Sequence, residues 1–179
     1  AMQGGFLGPD FKDAEIEEVL KRHGAVYERL DEEALLGRAT AALASEQVVG
    51  WVQGRMEYGP RALGHRSILG DPRSASMQSV MNLKVKFRES FRPFAPAVLA
   101  ERATEFFELE APSPYMLLVA PVHASQRIAV TSDAHGLERL KQIRSRLPAI
   151  THVDGSARVQ TVTAAENPMF HSLLKRFEA

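Results

Sequence analysis

The stretch QVVGWVQGRMEYGPRALGHRSIL, Gln47 to Leu69, decides the fold class: a short apolar run, a loop rich in Gly, Pro and Arg, then a second short apolar run. Val48, Val49, Trp51 and Val52 lie within Gln47 to Gln53, so this run is expected to form a buried strand. The loop extends from Gly54 to about Arg66. Ser67 to Leu69 reads as another strand, ended by the Asp71-Pro72 turn.

Helical patterns flank this unit. Asp13 is placed to cap a helix whose apolar Ile16, Val19 and Leu20 share one face before Gly24 ends it, and residues 32 to 45 repeat the pattern. The acidic residues of this first third read as solvated faces, with no chemistry assigned to residues 1 to 46. Ser74 to Val85 is expected as a helix capped by Ser74, with Met77, Val80 and Met81 pointing inward. Pro93 and Pro96 accompany an extended Phe94 to Leu99, Glu101 to Phe107 gives a turn or two of helix, and Tyr115 to Val122 a strand. Beyond lie a basic helix from Leu137 to Arg146, a strand from Ala157 to Thr163, and a final helix begun by Asn167-Pro168 and running through Phe177. Strands alternating with helices predict an α/β (α+β) fold, with residues 1–179 as one domain.

With 45% hydrophobic and 25% charged residues the composition suits an ordinary globular core. No apolar run approaches the ~18 residues of a membrane span, so a soluble, cytoplasmic protein with no membrane partner is expected. The opening Ala1-Met2-Gln3-Gly4-Gly5 reads as the remnant of a processed tag ahead of a domain boundary, which makes the chain a piece of something longer. The absence of cysteine excludes disulfides, thiolate metal sites and a cysteine nucleophile.

The zero net charge conceals an uneven distribution. Residues 1 to 50 carry five Lys or Arg against ten Asp or Glu. Between Arg55 and Arg92 eight bases (Arg55, Arg61, Arg66, Arg73, Lys84, Lys86, Arg88, Arg92) face three acids (Glu57, Asp71, Glu89). An excess dominated by arginine predicts an anionic partner at that segment.

Three segments carry candidate chemistry. In GRMEYGPRALGHRS, Gly54 to Ser67, glycines permit tight turning, Pro60 stiffens the loop, and three arginines follow one another five or six residues apart. Fixed guanidinium groups suit phosphate and carboxylate oxygens; salt bridges to the acidic amino-terminal helices are the structural alternative. The loop is no P-loop, because Pro60 and Arg61 stand where Lys and then Ser or Thr are required, so side chains would have to hold any phosphates. In NLKVKFRESFRPFAP, Asn82 to Pro96, the bases Lys84, Lys86 and Arg88 would share one face of a strand but spread apart on a helix, and an edge strand guarded by lysines is the alternative. In ITHVDGSARVQTV, Ile150 to Val162, a turn at Asp154-Gly155 leads into a strand carrying Arg158. His152 and Asp154 lack a third ligand at a recognisable spacing, so no metal site is assigned and both are read as structural. His65, His123, His135 and His171 have no partner that the sequence names.

Together GRMEYGPRALGHRSIL, LKVKFRESFRPFAP, SPYM (Ser113 to Met116) and THVDGSARVQTV resemble, in order, the carboxy-terminal domain of the O-carbamoyltransferases that include NodU, CmcH and TobZ; the resemblance runs from Gly8-Pro9 through the last helix. It implies a YrdC-like open twisted sheet with flanking helices and a basic cavity. It further implies that carbamoyl phosphate is cleaved and the carbamate joined to the α-phosphate of ATP, giving carbamoyl adenylate and pyrophosphate. A larger amino-terminal, metal-containing domain of the same parent chain would then pass the carbamoyl group to a substrate hydroxyl. The cofactors implied here are ATP and the Mg2+ that accompanies it.

Carried onto this sequence, the resemblance implies that Arg61, Lys86, Arg92 and Arg158 line the ATP and carbamoyl phosphate site, with Arg61, Lys86 and Arg92 catalytic through charge stabilisation. Arg88, Arg66 and Ser67 stand behind them as phosphate contacts or supports. The sequence departs from the family at His65, where asparagine is common. It also ends at Ala179, before the family's TGxPxxxNTSFN segment, whose serine faces the nucleotide. A chain so cut is expected to keep part of the anion site, to lack complete transfer alone, and to expose a sheet edge that would invite homodimerisation. The alternative is a non-catalytic anion- or RNA-binding module using the same cavity. Scarce aromatics, 7% of residues, disfavour nucleic acid.

Overall fold

The computed structural model describes residues 4–130 and 135–179; of the opening Ala1 to Gly5 read as a tag remnant, Ala1 to Gln3 lie outside the described residues. Among the described residues the architecture is an α/β fold with open sheets. Its elements are α1 (Asp13–Arg22), α2 (Glu32–Ala44), β1 (Val49–Val52), β2 (Arg66–Leu69), α3 (Met77–Val80), β3 (Ala97–Leu99), α4 (Ala103–Phe106), β4 (Leu118–Pro121), β5 (Ser156–Val162) and α5 (Pro168–Glu178). β1 and β2 form an antiparallel pair with Val49 opposite Leu69 and Val52 opposite Arg66. The second sheet has the order β3-β5-β4, with β5 central, parallel to β3 and antiparallel to β4.

β5 organises the domain because its two faces do different work. By the two-residue period, Ala157 and Val159 point one way, into a core that contains Met77, Met81, Val98, Phe107, Val122 and Ile150. Arg158, Gln160 and Val162 point the other way. Val162 meets a second apolar cluster with Leu36, Ala39, Trp51, Phe170 and Leu173, where α2 packs on α5. Gln160 Nε2 donates to the Leu63 carbonyl at 2.9 Å, so the loop between β1 and β2 lies over the middle of this face. Arg158 occupies the remaining end.

Several elements differ from the sequence expectations for physical reasons. β1 is shorter than Gln47 to Gln53 and only its Trp51 is buried; paired in a two-stranded sheet, it leaves Val52 67% exposed. The helix expected from Ser74 starts at Met77, because the Ser74 hydroxyl donates to Glu46 Oε2 at 2.8 Å instead of capping. From Met81 to Val85 the helix widens into a π-turn, so Lys84 lies on that turn and Lys86 just beyond it, and the shared strand face does not form. Leu137 to Arg146 is no α-helix: a 3-10 turn spans Gly136–Lys141, and residues beyond it pair with an earlier segment through Ile128 N to Arg144 O and Arg146 N to Gln126 O. The strand expected from Tyr115 begins at Leu118, since Met116 adopts φ 55° in the preceding turn. α1 is capped at Lys12, not Asp13, with the Lys12 N–H donating to Glu15 Oε2 at 2.7 Å, and it buries none of its residues. The final helix begins as expected, with Asn167 Oδ1 accepting from the Phe170 N–H and Pro168 in the first turn.

Candidate functional site

The loop between β1 and β2 is held from outside and from within. Outside, residues 5–9 run beside it through Gly8 N to Met56 O at 2.9 Å, Met56 N to Pro9 O at 2.8 Å and Tyr58 N to Gly5 O. The Phe6 ring stacks on His65 at 3.6 Å between centroids, and His65 Nδ1 lies 2.6 Å from the Arg55 carbonyl, which gives that histidine the partner the sequence did not reveal. Within, buried Glu57 turns its Oε1 onto the N–H groups of Leu63 (2.6 Å), His65 (2.9 Å) and Arg66 (3.1 Å). Burial pushes this carboxyl up, but the N–H groups of Leu63, His65, Glu57 itself and Arg66 together hold it below its ordinary value.

At the apex of the loop stands Arg61. Its Nε is buried and has no hydrogen-bond partner, and the same is true of Arg158 Nε on β5. The two guanidinium groups sense each other: burial, and then the charge of Arg61, lower the Arg158 pKa from its ordinary value. Among the described residues neither forms an ion pair. Two neighbouring cations with unused, buried donors are an uncompensated arrangement that an anion with several oxygens would satisfy.

The other expected site residues divide. Arg66 spends its guanidinium on the carbonyls of Gln53 (2.8 Å), His65 (2.8 Å) and Gly54 (3.0 Å), and Ser67 Oγ accepts from the Gly64 N–H. Both fasten the loop. Arg88 Nε donates to Asn82 Oδ1 at 2.6 Å, with its guanidinium 4.9 Å from the Phe94 ring centre. Asn82 is wholly buried and also donates to the carbonyls of Ser90 and Arg92, so it ties together the loop that carries these bases. Arg92 pairs with Glu89 at 2.9 Å on the surface. Lys86 is exposed with no side-chain partner among the described residues. This loop leads into Pro96, whose carbonyl accepts from the Gln160 N–H, two positions along β5 from Arg158.

His152 and Asp154 do not form an acid/base couple in the geometry described: Asp154 Oδ1 accepts from the N–H and hydroxyl of Ser156, and the Ser156 hydroxyl is the first cause of its lowered pKa. Among the described residues no group of three or more His, Asp or Glu could hold a metal ion. No helix among them is long and apolar enough to cross a membrane. A basic hollow of about 560 Å³ elsewhere in the fold includes Arg127, Arg139 and Arg144. Arg127 already pairs with Glu108, and Arg144 with the carbonyls of Gln142 and Arg139, so its bases are more compensated than Arg61 and Arg158.

A family model described as the carbamoyltransferase C-terminus matches residues 40–179. The chain belongs to the carbamoyltransferase family. The match to this family begins within α2 and takes in every residue of the arginine site. Among similar proteins, an uncharacterized protein of Synechocystis sp. is 56% identical over 184 residues, covering 100% of this chain and 30% of that protein. Nodulation protein NolNO of Sinorhizobium fredii is 42% identical, over 98% of this chain and 24% of its own length. A protein of Amycolatopsis lactamdurans named 3'-hydroxymethylcephem-O-carbamoyltransferase is 42% identical, over 78% of this chain and 23% of its own length. This carbamoyltransferase chain therefore spans less than a third of the length of these relatives.

Glu57, Asn82 and Gln160 were not singled out from the sequence. Glu57 was legible only as an acid inside an arginine loop; the other two carry no local signal, because their roles consist of bonds to backbone groups far along the chain.

Proposed function

We propose that this carbamoyltransferase domain binds ATP and carbamoyl phosphate at the Arg61 and Arg158 pair, with Lys86 and Arg92 completing the anion site. Water cleaves carbamoyl phosphate to carbamate and inorganic phosphate; a carbamate oxygen then bonds to the α-phosphorus of ATP, the α–β phosphoanhydride bond breaks, and pyrophosphate leaves carbamoyl adenylate behind. The positive groups stabilise the charge that builds on the phosphoryl oxygens, and Mg2+ arrives with the nucleotide. The remainder of the longer protein would carry the acceptor site and move the carbamoyl group onto a hydroxyl. The observation that carries this reading is the pair of buried, unpartnered Nε atoms on Arg61 and Arg158.

Calorimetric titration with ATP plus Mg2+, and separately with carbamoyl phosphate, tests it. Arg61→Ala and Arg158→Ala should each weaken both affinities by tenfold or more, roughly the worth of one charge-assisted hydrogen bond. Absence of binding by the parent chain sinks the proposal. A second reading, an RNA-binding module, draws on Phe87, 86% exposed beside Lys86. In that case single-stranded RNA binds more tightly than ATP and its affinity falls steeply with salt.

A further inference from the structure

We propose that Glu57 is the positioning residue of the anion site, acting through Arg61 without touching ligand; this rests on the function proposed above. A single carboxylate oxygen reaches the N–H groups six, eight and nine residues further on, so both ends of the loop are stitched together around Arg61. The residues on either side of it are tied outward to residues 5–9, which fixes the alternation that sends the Glu57 side chain inward. The Leu63 peptide joins this stitch to β5. Its N–H is held by Glu57 at 2.6 Å and its carbonyl by Gln160 Nε2 at 2.9 Å, and Gln160 lies two positions from Arg158 on the same face. Two successive hydrogen bonds therefore connect the carboxylate to the strand that carries the second arginine, and the spacing of the two guanidinium groups depends on both.

The same geometry assigns a negative role. A loop with glycines and converging N–H groups is the usual cradle for a phosphate, but here Glu57 fills the cradle, and burial with only 6% exposure keeps it there. Ligand oxygens are left to the arginine side chains. Glu57 also supplies a fixed negative charge behind the loop, which stops three N–H dipoles from adding to the repulsion between Arg61 and Arg158 when no ligand is bound.

The test is a double-mutant cycle read by calorimetry with ATP plus Mg2+ and with carbamoyl phosphate, on Glu57→Gln, Arg61→Ala and the pair, at low salt. Glu57→Gln should weaken binding about 10- to 100-fold, the range set by bonds to a charged acceptor. In the Arg61→Ala background it should cost almost nothing further, because its effect travels through Arg61. Equal affinity for Glu57→Gln and the parent overturns the inference, as do losses that simply multiply. If the parent binds neither ligand, the functional reading itself fails, which is a different result. Should Glu57→Gln not fold, Glu57→Asp keeps the charge but cannot reach all three N–H groups, and a smaller loss with the same non-additivity is expected. A structural role alone lowers the melting temperature and leaves the affinity of the folded protein unchanged.

Discussion

Replacing Gly64 by Ala tests whether the arginine loop is seated on α5 as described. A Cβ at Gly64 would stand 2.4 Å from Cδ1, 2.7 Å from Cε1 and 2.8 Å from Cγ of Phe170, whose ring is 2% exposed and fixed in the α2/α5 cluster. Gly64 also has φ 99°, which side chains rarely adopt. The backbone strain is worth about 1–3 kcal/mol. Overpacking against an immobile ring adds about 1–3 kcal/mol. The sum, about 2–6 kcal/mol, is a large share of the stability of a domain this size. Urea unfolding with a slope near 2 kcal/mol/M would show it as a midpoint lowered by roughly 1–3 M. Phe170→Ala removes all three atoms in conflict, so in that background Gly64→Ala should cost only the strain, giving a coupling of about 1–3 kcal/mol. A midpoint that hardly moves, or the same fall in both backgrounds, would refute the seating of the loop on Phe170.

Gly70→Ala makes the contrasting case: its Cβ would meet Met77 Sδ at 2.7 Å and Met81 Sδ at 2.9 Å, but those thioethers can rotate and no left-handed φ is involved, so a loss below about 1.5 kcal/mol is expected by the same urea assay. Asn82→Ala leaves the carbonyls of Ser90 and Arg92 and the Arg88 Nε without their partner, and should cost about 2–4 kcal/mol, with faster amide exchange across residues 86–92. Glu57 gives a pH dependence. Its folded pKa lies below the ordinary carboxylate value, so the unfolded chain binds its proton first, and the stability it supplies is complete above the unfolded value and lost as pH falls through the folded one. The acid limb of a melting-temperature profile should therefore be shallower in Glu57→Gln than in the parent; identical limbs would contradict the assignment.

The sequence disclosed those parts of the fold that depend on local chemistry. The Asn167-Pro168 start of α5 needs only an amide side chain and a fixed φ, and the alternation of β5 needs only one buried face on each side. Where a long-range bond competes, the local signal misleads. Ser74 has the composition of a cap, but its hydroxyl is taken by Glu46, and the helix waits until Met77. Ile16, Val19 and Leu20 do lie on one face of α1, but periodicity reports which residues could pack together and not whether a surface is there to receive them. The π-turn contains Asn82, a residue whose sequence neighbours give no hint that its side chain binds two carbonyls eight and ten residues away.

The candidate site shows the same limit in its charges. Eight bases between Arg55 and Arg92 suggested one basic surface, but the structure spends most of them: Arg55 on the Leu7 carbonyl, Arg66 on three carbonyls, Arg73 on Asp71, Arg88 on Asn82 and Arg92 on Glu89. What remains among the described residues is Arg61, Lys84 and Lys86, with Arg92 held only by an exposed ion pair that a ligand anion can replace, and Arg158 joins them from a segment whose charges balance. A count of charge thus overstates the site in one place and misses it in another. The difference between a spent and an unspent arginine is measurable. Arg66→Ala should leave the Gln53 and Gly54 carbonyls without this donor, while the His65 carbonyl keeps the Gln53 N–H, and lower stability by about 1–3 kcal/mol. Arg61→Ala removes a cation near Arg158 that bonds to no other side chain among the described residues, so stability should hold or rise while affinity for ATP and carbamoyl phosphate falls. If instead Arg61→Ala unfolds the chain and Arg66→Ala leaves it intact, the assignment of clamp and ligand must be exchanged.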